Sequence, residues 1–424
     1  MHGNFKCRWH IFAAHQAPPR VTLSYRMTPL NQKPVSVLHL TAADSMLFPI
    51  LRDQLKYLRE AGYLIHTASI DGPLGRRIRD DDGFPWTPLP LTREFAPLSD
   101  LRARGFIERL CREHRFSIVH THTPKGNLIG QWAARRAGVP VVLQTLHGFY
   151  FHERMSYPKR RAWIAIERFS ARHSDHVLCQ NPEDVETAIR EHIVAPTRIT
   201  LLGNGIDIER FIPVAPDDTR RANTRRSLNI PADALVVGMV GRFVAEKGFP
   251  EFLAAAERMV PAIDKLHLIV VGHRLASERA GESWSAPAAG LGPLSGKMTV
   301  LSDRDDMPEL YACMDVHVLP SHREGFPRAL MEGAATGLPQ VCTNIRGCRQ
   351  TVEHEKTGFL VEVGDVTALA ERLQLLARDA ELREKFGRAA RQKAVAEFNQ
   401  NKVFEKVDAC YRKLMQSAIT GGKA

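Results

Sequence analysis

Leu235-Val236-Val237-Gly238-Met239-Val240 runs straight into Gly241-Arg242-Phe243-Val244-Ala245-Glu246-Lys247-Gly248. An unbroken apolar run of this length, closed by a glycine, reads as a strand buried on both faces. Such strands belong to parallel sheets covered by helices, and their ligands sit beyond the C-terminal ends. Gly241 lets the backbone approach a ligand there. Arg242 and Lys247 place two cations at the same mouth, where a diphosphate leaving group gathers negative charge. A solvated basic turn accounts for these letters equally well when they are taken alone. The GxGxxG spacing of a dinucleotide site is absent.

The same rhythm extends in both directions. Towards the N-terminus, Val35–Leu40, Leu64–Ile70, Ile118–His122, Val141–Thr145, His176–Cys179 and Ile199–Leu202 read as strands. Phe48–Ala61, Leu98–Glu113 and Gly126–Ala137 read as helices between them. The polar, proline-containing stretch Pro213–Arg226 reads as a linker. Towards the C-terminus, Leu266–Val271, Met298–Leu301, Val316–Leu319, Gln340–Thr343 and Gly358–Val361 read as strands. Three helices, near 367–378, 381–396 and 401–416, close the chain behind an N-cap at Asp365. The predicted class is α/β, with two doubly wound halves facing a cleft. His273–Lys297, rich in Ala, Gly, Ser and Pro, is too long for an ordinary connection and reads as a lid, a contact loop or a mobile insertion.

A second motif, Ser321-His322-Arg323-Glu324-Gly325-Phe326-Pro327-Arg328-Ala329-Leu330-Met331-Glu332, follows the strand Val316–Leu319. Pro327 suits the first turn of a helix, whose free N–H groups favour a phosphate. Glu324 then lies in the loop and Glu332 on the helix, where both accept hydrogen bonds from neutral sugar hydroxyls. An E-x7-E pair alone is commonplace; behind an apolar strand and beside the first motif it points to a site. The third motif, Thr145-Leu146-His147-Gly148, sets a histidine at a strand end facing the cleft, able to bond a hydroxyl as a neutral imidazole. A lone histidine is otherwise more often structural.

Composition bounds the rest. A chain of 424 residues is long for one domain. No run reaches the ~18 apolar residues of a membrane span. Residues 1–33 are basic, lack the apolar core of a secretory leader and read as a disordered arm or a misplaced start. Seven scattered cysteines without a CxxC pair argue against a disulfide framework or structural zinc, and for a reducing compartment. The net charge of +11 invites polyanions. With 7% aromatic residues and no groove-reading module, a nucleic-acid-binding protein is disfavoured. Asp303-Arg304-Asp305 and Asp80-Asp81-Asp82 match the letters of a metal-binding Asp-x-Asp, yet both sit in polar segments away from the cation-rich mouths. The expectation is solvated loops, no metal and no cofactor. Phe149-Tyr150-Phe151 opens a basic segment holding Arg154, Lys159, Arg160, Arg161, Arg168 and Arg172. With Trp163, Ile166 and Phe169 at helical spacing, it reads as a helix with its apolar side in the core. The sharper reading is an interfacial, acceptor-side patch beside the cleft that meets anionic lipid or a lipid diphosphate.

Together with Gly203-Asn204-Gly205-Ile206-Asp207 and Phe211, the three motifs resemble the family-4 retaining glycosyltransferases over residues 34–398. His120-Thr121-His122-Thr123-Pro124-Lys125-Gly126, Asp305-Asp306-Met307-Pro308-Glu309-Leu310-Tyr311 and Arg346-Gly347-Cys348-Arg349 are similar to the branch that builds capsular and O-antigen polysaccharides. The resemblance implies the GT-B architecture: an acceptor-side domain at 34–212, a nucleotide-sugar domain at 213–398, and a helix at 399–417 returning to the first. It implies transfer of a hexose or N-acetylhexosamine from a nucleotide-diphosphate sugar, with UDP expected, to a polyprenyl-diphosphate-linked glycan. The enzyme would work in the cytoplasm, peripherally on the inner face of the membrane. By the same resemblance Glu332 holds the ribose, Glu324 the donor sugar, and Arg242 and Lys247 the diphosphate. Gly241, Gly325, Phe326 and Pro327 complete the donor site, and His147 lies by the reacting centre. Three positions depart from the family: Thr41-Ala42-Ala43-Asp44-Ser45 replaces a Gly-Gly loop, Pro327 removes an N–H donor, and Gln350 stands where a glutamate is common. A phosphorylase of the same architecture is the alternative, though no lysine for pyridoxal phosphate can be singled out.

Overall fold

The computed structural model describes residues 34–92, 96–152, 154–273, 284–285 and 292–421. The basic arm and most of the 273–297 loop lie outside the described residues. Seven strands form the first sheet: β1 Ser36–Thr41, β2 Leu64–Ile70, β3 Trp86–Leu89, β4 Ile118–His122, β5 Val141–Leu146, β6 His176–Cys179 and β7 Ile199–Leu201. They are ordered β3-β2-β1-β4-β5-β6-β7, and every pairing is parallel. Six form the second: β8 Leu235–Val240, β9 Leu266–Gly272, β10 Met298–Ser302, β11 Val316–Leu319, β12 Gln340–Thr343 and β13 Gly358–Val361. Their order is β10-β9-β8-β11-β12-β13, again parallel. Both sheets reverse direction between their first and fourth strands, which opens a crevice outside the strand C-termini.

Each sheet buries apolar side chains on both faces, which is why these strands read as continuous runs rather than alternations. The chain crosses between sheets where Ile206 pairs with Asn399. Ile206 N donates to the Phe398 carbonyl (2.9 Å) and Gln400 N to the Ile206 carbonyl (3.1 Å). Beyond that crossing, the helix Gln400–Ile419 lays Val403, Phe404, Val407, Tyr411 and Leu414 into the core of the first sheet.

The sequence reading missed β3, because Pro88 reads as a breaker. A proline is tolerated there because β3 is an edge strand. The expected linker Pro213–Arg226 instead contains a helix, Thr219–Ser227, capped by the Asp218 side chain. Its polarity is deceptive. Arg225 is only 5% exposed, donating to the Cys313 carbonyl (3.0 Å) and to Asp315 (2.9 Å), so charge rather than an apolar stripe docks this helix. The basic segment forms the helix Tyr157–Arg172, but its inward stripe is displaced from the expected one. Ile164, Glu167, Ser170 and Ala171 are buried, whereas Phe169 is 41% exposed.

Candidate active site

The mouth of the second sheet is built by two strand ends. After β8, Gly241 N donates to the Val271 carbonyl (3.0 Å) and the chain turns through Ala245–Lys247 into the helix Phe249–Met259. Gly248 makes that turn with φ +83°, and a Cβ there would collide with the Pro320 carbonyl. The turn brings Lys247 under the loop after β11. Lys247 Nζ bonds Glu324 Oε1 at 2.6 Å, and Ser321 Oγ donates to the same oxygen at 2.7 Å. The Lys247 and Glu324 side chains are 16% and 8% exposed, so this is a nearly buried ion pair.

Arg242 lies half-buried at the same mouth, within electrostatic reach of Glu246. Burial pushes the Glu246 carboxyl up, but Arg323 (2.7 Å), with Lys247 and Arg242, outweighs it and holds the pKa below the usual range. Thus the basic mouth carries its own counter-charges, and a diphosphate entering it would compete with them.

The loop after β11 ends at Pro327, which occupies the N-cap rather than the first turn, and the helix runs Arg328–Ala335. Glu332 lies in its second turn. Tyr311 O–H donates to Glu332 Oε2 at 3.1 Å, and Arg328 Nε approaches Oε1 at 3.8 Å. Burial raises the Glu332 pKa, opposed by Arg328, the Tyr311 hydrogen bond and Arg210.

Gly325 is where the two halves touch. A Cβ at Gly148 would lie 2.7 Å from Gly325 Cα, one at Gly347 2.7 Å from the Gly325 carbonyl, and one at Gly325 would collide with the His147 carbonyl. Only three glycines allow these loops to meet backbone to backbone. Asn181 Nδ2 donates to the Gly325 carbonyl and Asn204 Nδ2 to the Phe326 carbonyl, each at 3.1 Å. Beside them Arg346 pairs with Asp184, Arg349 with Glu183 (2.7 Å), and Gln350 Nε2 donates to Glu183 at 3.0 Å. A glutamate at 350 would face Glu183 with like charge, which gives the departure at this position a physical reason.

His147, just after β5, lines a cleft with Thr145, Gln180, Asn204 and Arg328. Burial lowers its pKa to about 4, against a small opposing effect of a Gln180 hydrogen bond, so the imidazole is neutral at pH 7. Asn181 and Gln180 were not singled out from sequence, and Asn204 entered only within the motif Gly203–Asp207, with no role assigned. The signal for Asn181 was its Asn-Pro pair, since it caps the helix Pro182–Arg190 by accepting from Glu183 N (2.9 Å).

The remaining candidates lie elsewhere. Arg160 pairs with Glu191 (2.6 Å), Arg161 approaches the same carboxylate (3.8 Å), and Arg154 approaches Glu362 (3.5 Å). Lys159 is exposed without a carboxylate partner among the described residues, and Tyr157 is 73% exposed beside it. Asp82 is held by Arg52 (2.7 Å) and Lys56 (2.8 Å), and Asp305 offers its carbonyl to Arg210 (2.8 Å). Among the described residues, no helix is long and apolar enough to cross a membrane.

Two facing doubly wound domains, with cations and a carboxylate at one mouth and a histidine loop at the other, define the GT-B class of glycosyltransferase. Residues 220–393 match the family "Glycosyl transferases group 1", and residues 49–205 match "Glycosyl transferase 4-like domain". The chain is 30% identical over 342 residues to the UDP-Gal:alpha-D-GlcNAc-diphosphoundecaprenol alpha-1,3-galactosyltransferase of Escherichia coli, covering 80% of this chain and 86% of that one. It is 27% identical over 392 residues to the capsular polysaccharide biosynthesis glycosyltransferase CapM of Staphylococcus aureus, covering 92% and 99%. The crystal structure of Anabaena HepE in complex with UDP and glucose superposes with a TM-score of 0.73 at 19% identity, covering 89% and 100%. The chain belongs to the family-4 glycosyltransferases, and it is a glycosyltransferase.

Proposed function

We propose that this enzyme transfers a hexose or N-acetylhexosamine, with retention, from a UDP-sugar to a polyprenyl-diphosphate-linked glycan during surface polysaccharide synthesis. The Lys247–Glu324 pair carries the reading. A cation and a carboxylate bonded to each other in the cleft are complementary to a donor made of a diphosphate and a sugar. Lys247 would turn from Glu324 to the phosphate, and Glu324 would be released to accept from sugar hydroxyls. As the glycosidic bond breaks, charge accumulates on the diphosphate, and Arg242 and Lys247 stabilise it in place. These cations supply the charge a divalent metal would bring, so activity is expected to survive chelation by EDTA. Glu332, lifted towards neutrality by burial, is assigned the ribose. The acceptor class rests on the E. coli relative and on an undecaprenol-diphosphate N-acetylgalactosaminyltransferase of Campylobacter jejuni, 24% identical over 327 residues.

A lipid-linked acceptor requires the enzyme to reach a bilayer surface in the cytoplasm. The exposed Tyr157, Lys159, Arg161 and Phe169 support a peripheral contact, worth about 1 kcal/mol per basic residue near anionic lipid. Glu191 offsets part of that charge. The test is a screen of nucleotide sugars for thermal stabilisation, followed by transfer to undecaprenyl-diphosphate-linked N-acetylglucosamine. Protection by no UDP-sugar would refute the donor class; protection without transfer to the lipid-linked sugar would refute the acceptor.

A further inference from the structure

The His-Thr-His motif and the C-terminal helix meet in a feature that the donor chemistry above leaves unused. His39 on β1 and His120 on β4 stand opposite each other in register, and His122 follows two residues later on the same face. Tyr411 of the helix Gln400–Ile419 descends onto His39 and His120 and is fully buried. The contacts form one continuous chain. Thr145 Oγ1 meets His120 Nε2 (2.7 Å), and His120 Nδ1 meets the Tyr411 hydroxyl (2.6 Å). That hydroxyl meets His39 Nε2 (3.2 Å), His39 Nδ1 meets His122 Nε2 (3.2 Å), and His122 Nδ1 meets His147 Nε2 (3.1 Å).

Proton counting leaves this chain two settings. Burial lowers the pKa of His39 to about 3 and that of His147 to about 4, and those of His120 and His122 well below 6.5. All four rings are therefore neutral, each with one N–H and one accepting nitrogen. His39, His122 and His147 must then point their protons the same way, and reversing one reverses the others. The direction is fixed from the far end. Asn204 Oδ1 accepts from Gly205 N (2.9 Å) while its Nδ2 donates to the Phe326 carbonyl (3.1 Å), so the amide has one orientation. Gln180 Nε2 donates to Asn204 Oδ1 (3.3 Å), so the end of the amide left to face His147, with which it shares the cleft wall, is the accepting oxygen.

We propose that Tyr411, His39 and His122 are positioning residues that hold His147 as the neutral Nδ1–H tautomer, in a one-way chain running from the C-terminal helix to the Glu-Gly-Phe loop. Every member donates once in the same sense along the chain: Thr145 to His120, His120 to Tyr411, Tyr411 to His39, His39 to His122, His122 to His147, and His147 through Nδ1 to Gln180. A donor or acceptor hydroxyl that displaces the Gln180 amide oxygen would accept from His147 Nδ1–H. The C-terminal helix thereby acts on the reacting centre without touching substrate.

The chain is read directly by ¹⁵N-histidine NMR of the full-length protein, with signals assigned from His147→Gln and His122→Gln. His39, His122 and His147 are expected as Nδ1–H tautomers at pH 7. An imidazolium or an Nε2–H tautomer at His147 would overturn the proposal. So would elemental analysis showing one equivalent of bound divalent metal, because His39, His120 and His122 would then be ligands with their acceptor nitrogens occupied. Tyr411→Phe keeps the ring but removes the bridging hydroxyl. It leaves His39 Nε2 without a donor, so the Nδ1–H preference should weaken and kcat fall about tenfold, below the 10²- to 10⁴-fold that a proton-transfer group supplies, with little change in donor KM. Tyr63→Phe is the control: its ring packs on Tyr411 (5.5 Å), but its hydroxyl bonds Asp408 (2.7 Å) outside the chain. Equal effects from both variants would reduce Tyr411 to a packing role. The kcat measurement rests on the glycosyl-transfer reading; the spectra do not, so the two can fail separately.

Discussion

Removing the Lys247 ammonium should separate the two roles of the cleft. In Lys247→Met the stem is retained and the charge is lost, leaving the Glu324 carboxyl unpaired at 8% side-chain exposure with only Ser321 bonding the same oxygen. Breaking a buried pair from one side typically costs about 3–5 kcal/mol. The Ser321 hydrogen bond and the open cleft place this pair at the low end, about 3 kcal/mol. In a domain of this size each kcal/mol lowers the melting temperature by about 2–4 °C, giving a fall of about 6–12 °C. Glu324→Gln keeps an acceptor for Ser321 and should cost less. The double variant should recover part of the loss, because no unpaired charge remains. Turnover behaves differently: removing one contact to a developing anion costs about 10²- to 10³-fold, and the double variant should recover none of it. The assay is a double-mutant cycle by thermal denaturation with and without UDP, paired with steady-state turnover. If Lys247→Met melts like the parent and UDP still stabilises it fully, Lys247 neither pairs with Glu324 in solution nor holds the diphosphate.

Arg242→Ala should reduce turnover by a similar 10²- to 10³-fold, measured at saturating donor; near-normal turnover in it and in Lys247→Met places the diphosphate elsewhere. By calorimetry, Glu332→Ala should weaken UDP and UDP-sugar alike, whereas Glu324→Ala should weaken the full donor far more; the reverse pattern would exchange the two roles. Glu167 is 3% exposed, and burial with the nearby Asp184 raises its pKa from 4.5 to about 7. The folded state then binds the extra proton, so the contribution of this group to stability falls as pH rises from 4.5 to 7 and stays low above it. Glu167→Gln should remove that contribution and gain at most about 3 kcal/mol over the parent at pH 8, at 1.36 kcal/mol per unit; a difference between variant and parent that is the same at pH 5 and pH 8 would refute this. Anionic vesicles should sediment the protein from residue 27 onward, less so at high salt or with Lys159, Arg160 and Arg161 changed to glutamine; indifference to vesicle charge would refute the lipid contact.

The parallel strands were legible because burial on both faces writes an apolar run into the chain, and no register is needed to see it. The motifs after β8 and β11 were legible for a related reason: strand C-termini are where this topology delivers its ligands, so Lys247 and Glu324 could be assigned to one mouth before any distance was known. What escaped was held by long-range polar contact. The helix Thr219–Ser227 looked like a linker because its anchors are Arg221 and Arg225 on Asp315, and a sequence does not show which arginine finds a carboxylate.

By itself the sequence determined two doubly wound halves, their order and the residues at each mouth, because hydrophobic periodicity and strand-end chemistry are local. Only the tertiary structure decided that Lys247 rests on Glu324 and that two glycines, Gly148 and Gly325, set the approach of the halves. Only it brought His39, His120 and Tyr411 into one chain ending on His147. Residue 411 lies 372 positions from residue 39, and nothing local in either predicts a 3.2 Å contact. That contact exists because the last helix must bury Val403, Val407 and Leu414 somewhere, and the first sheet's face offers the apolar surface that receives them.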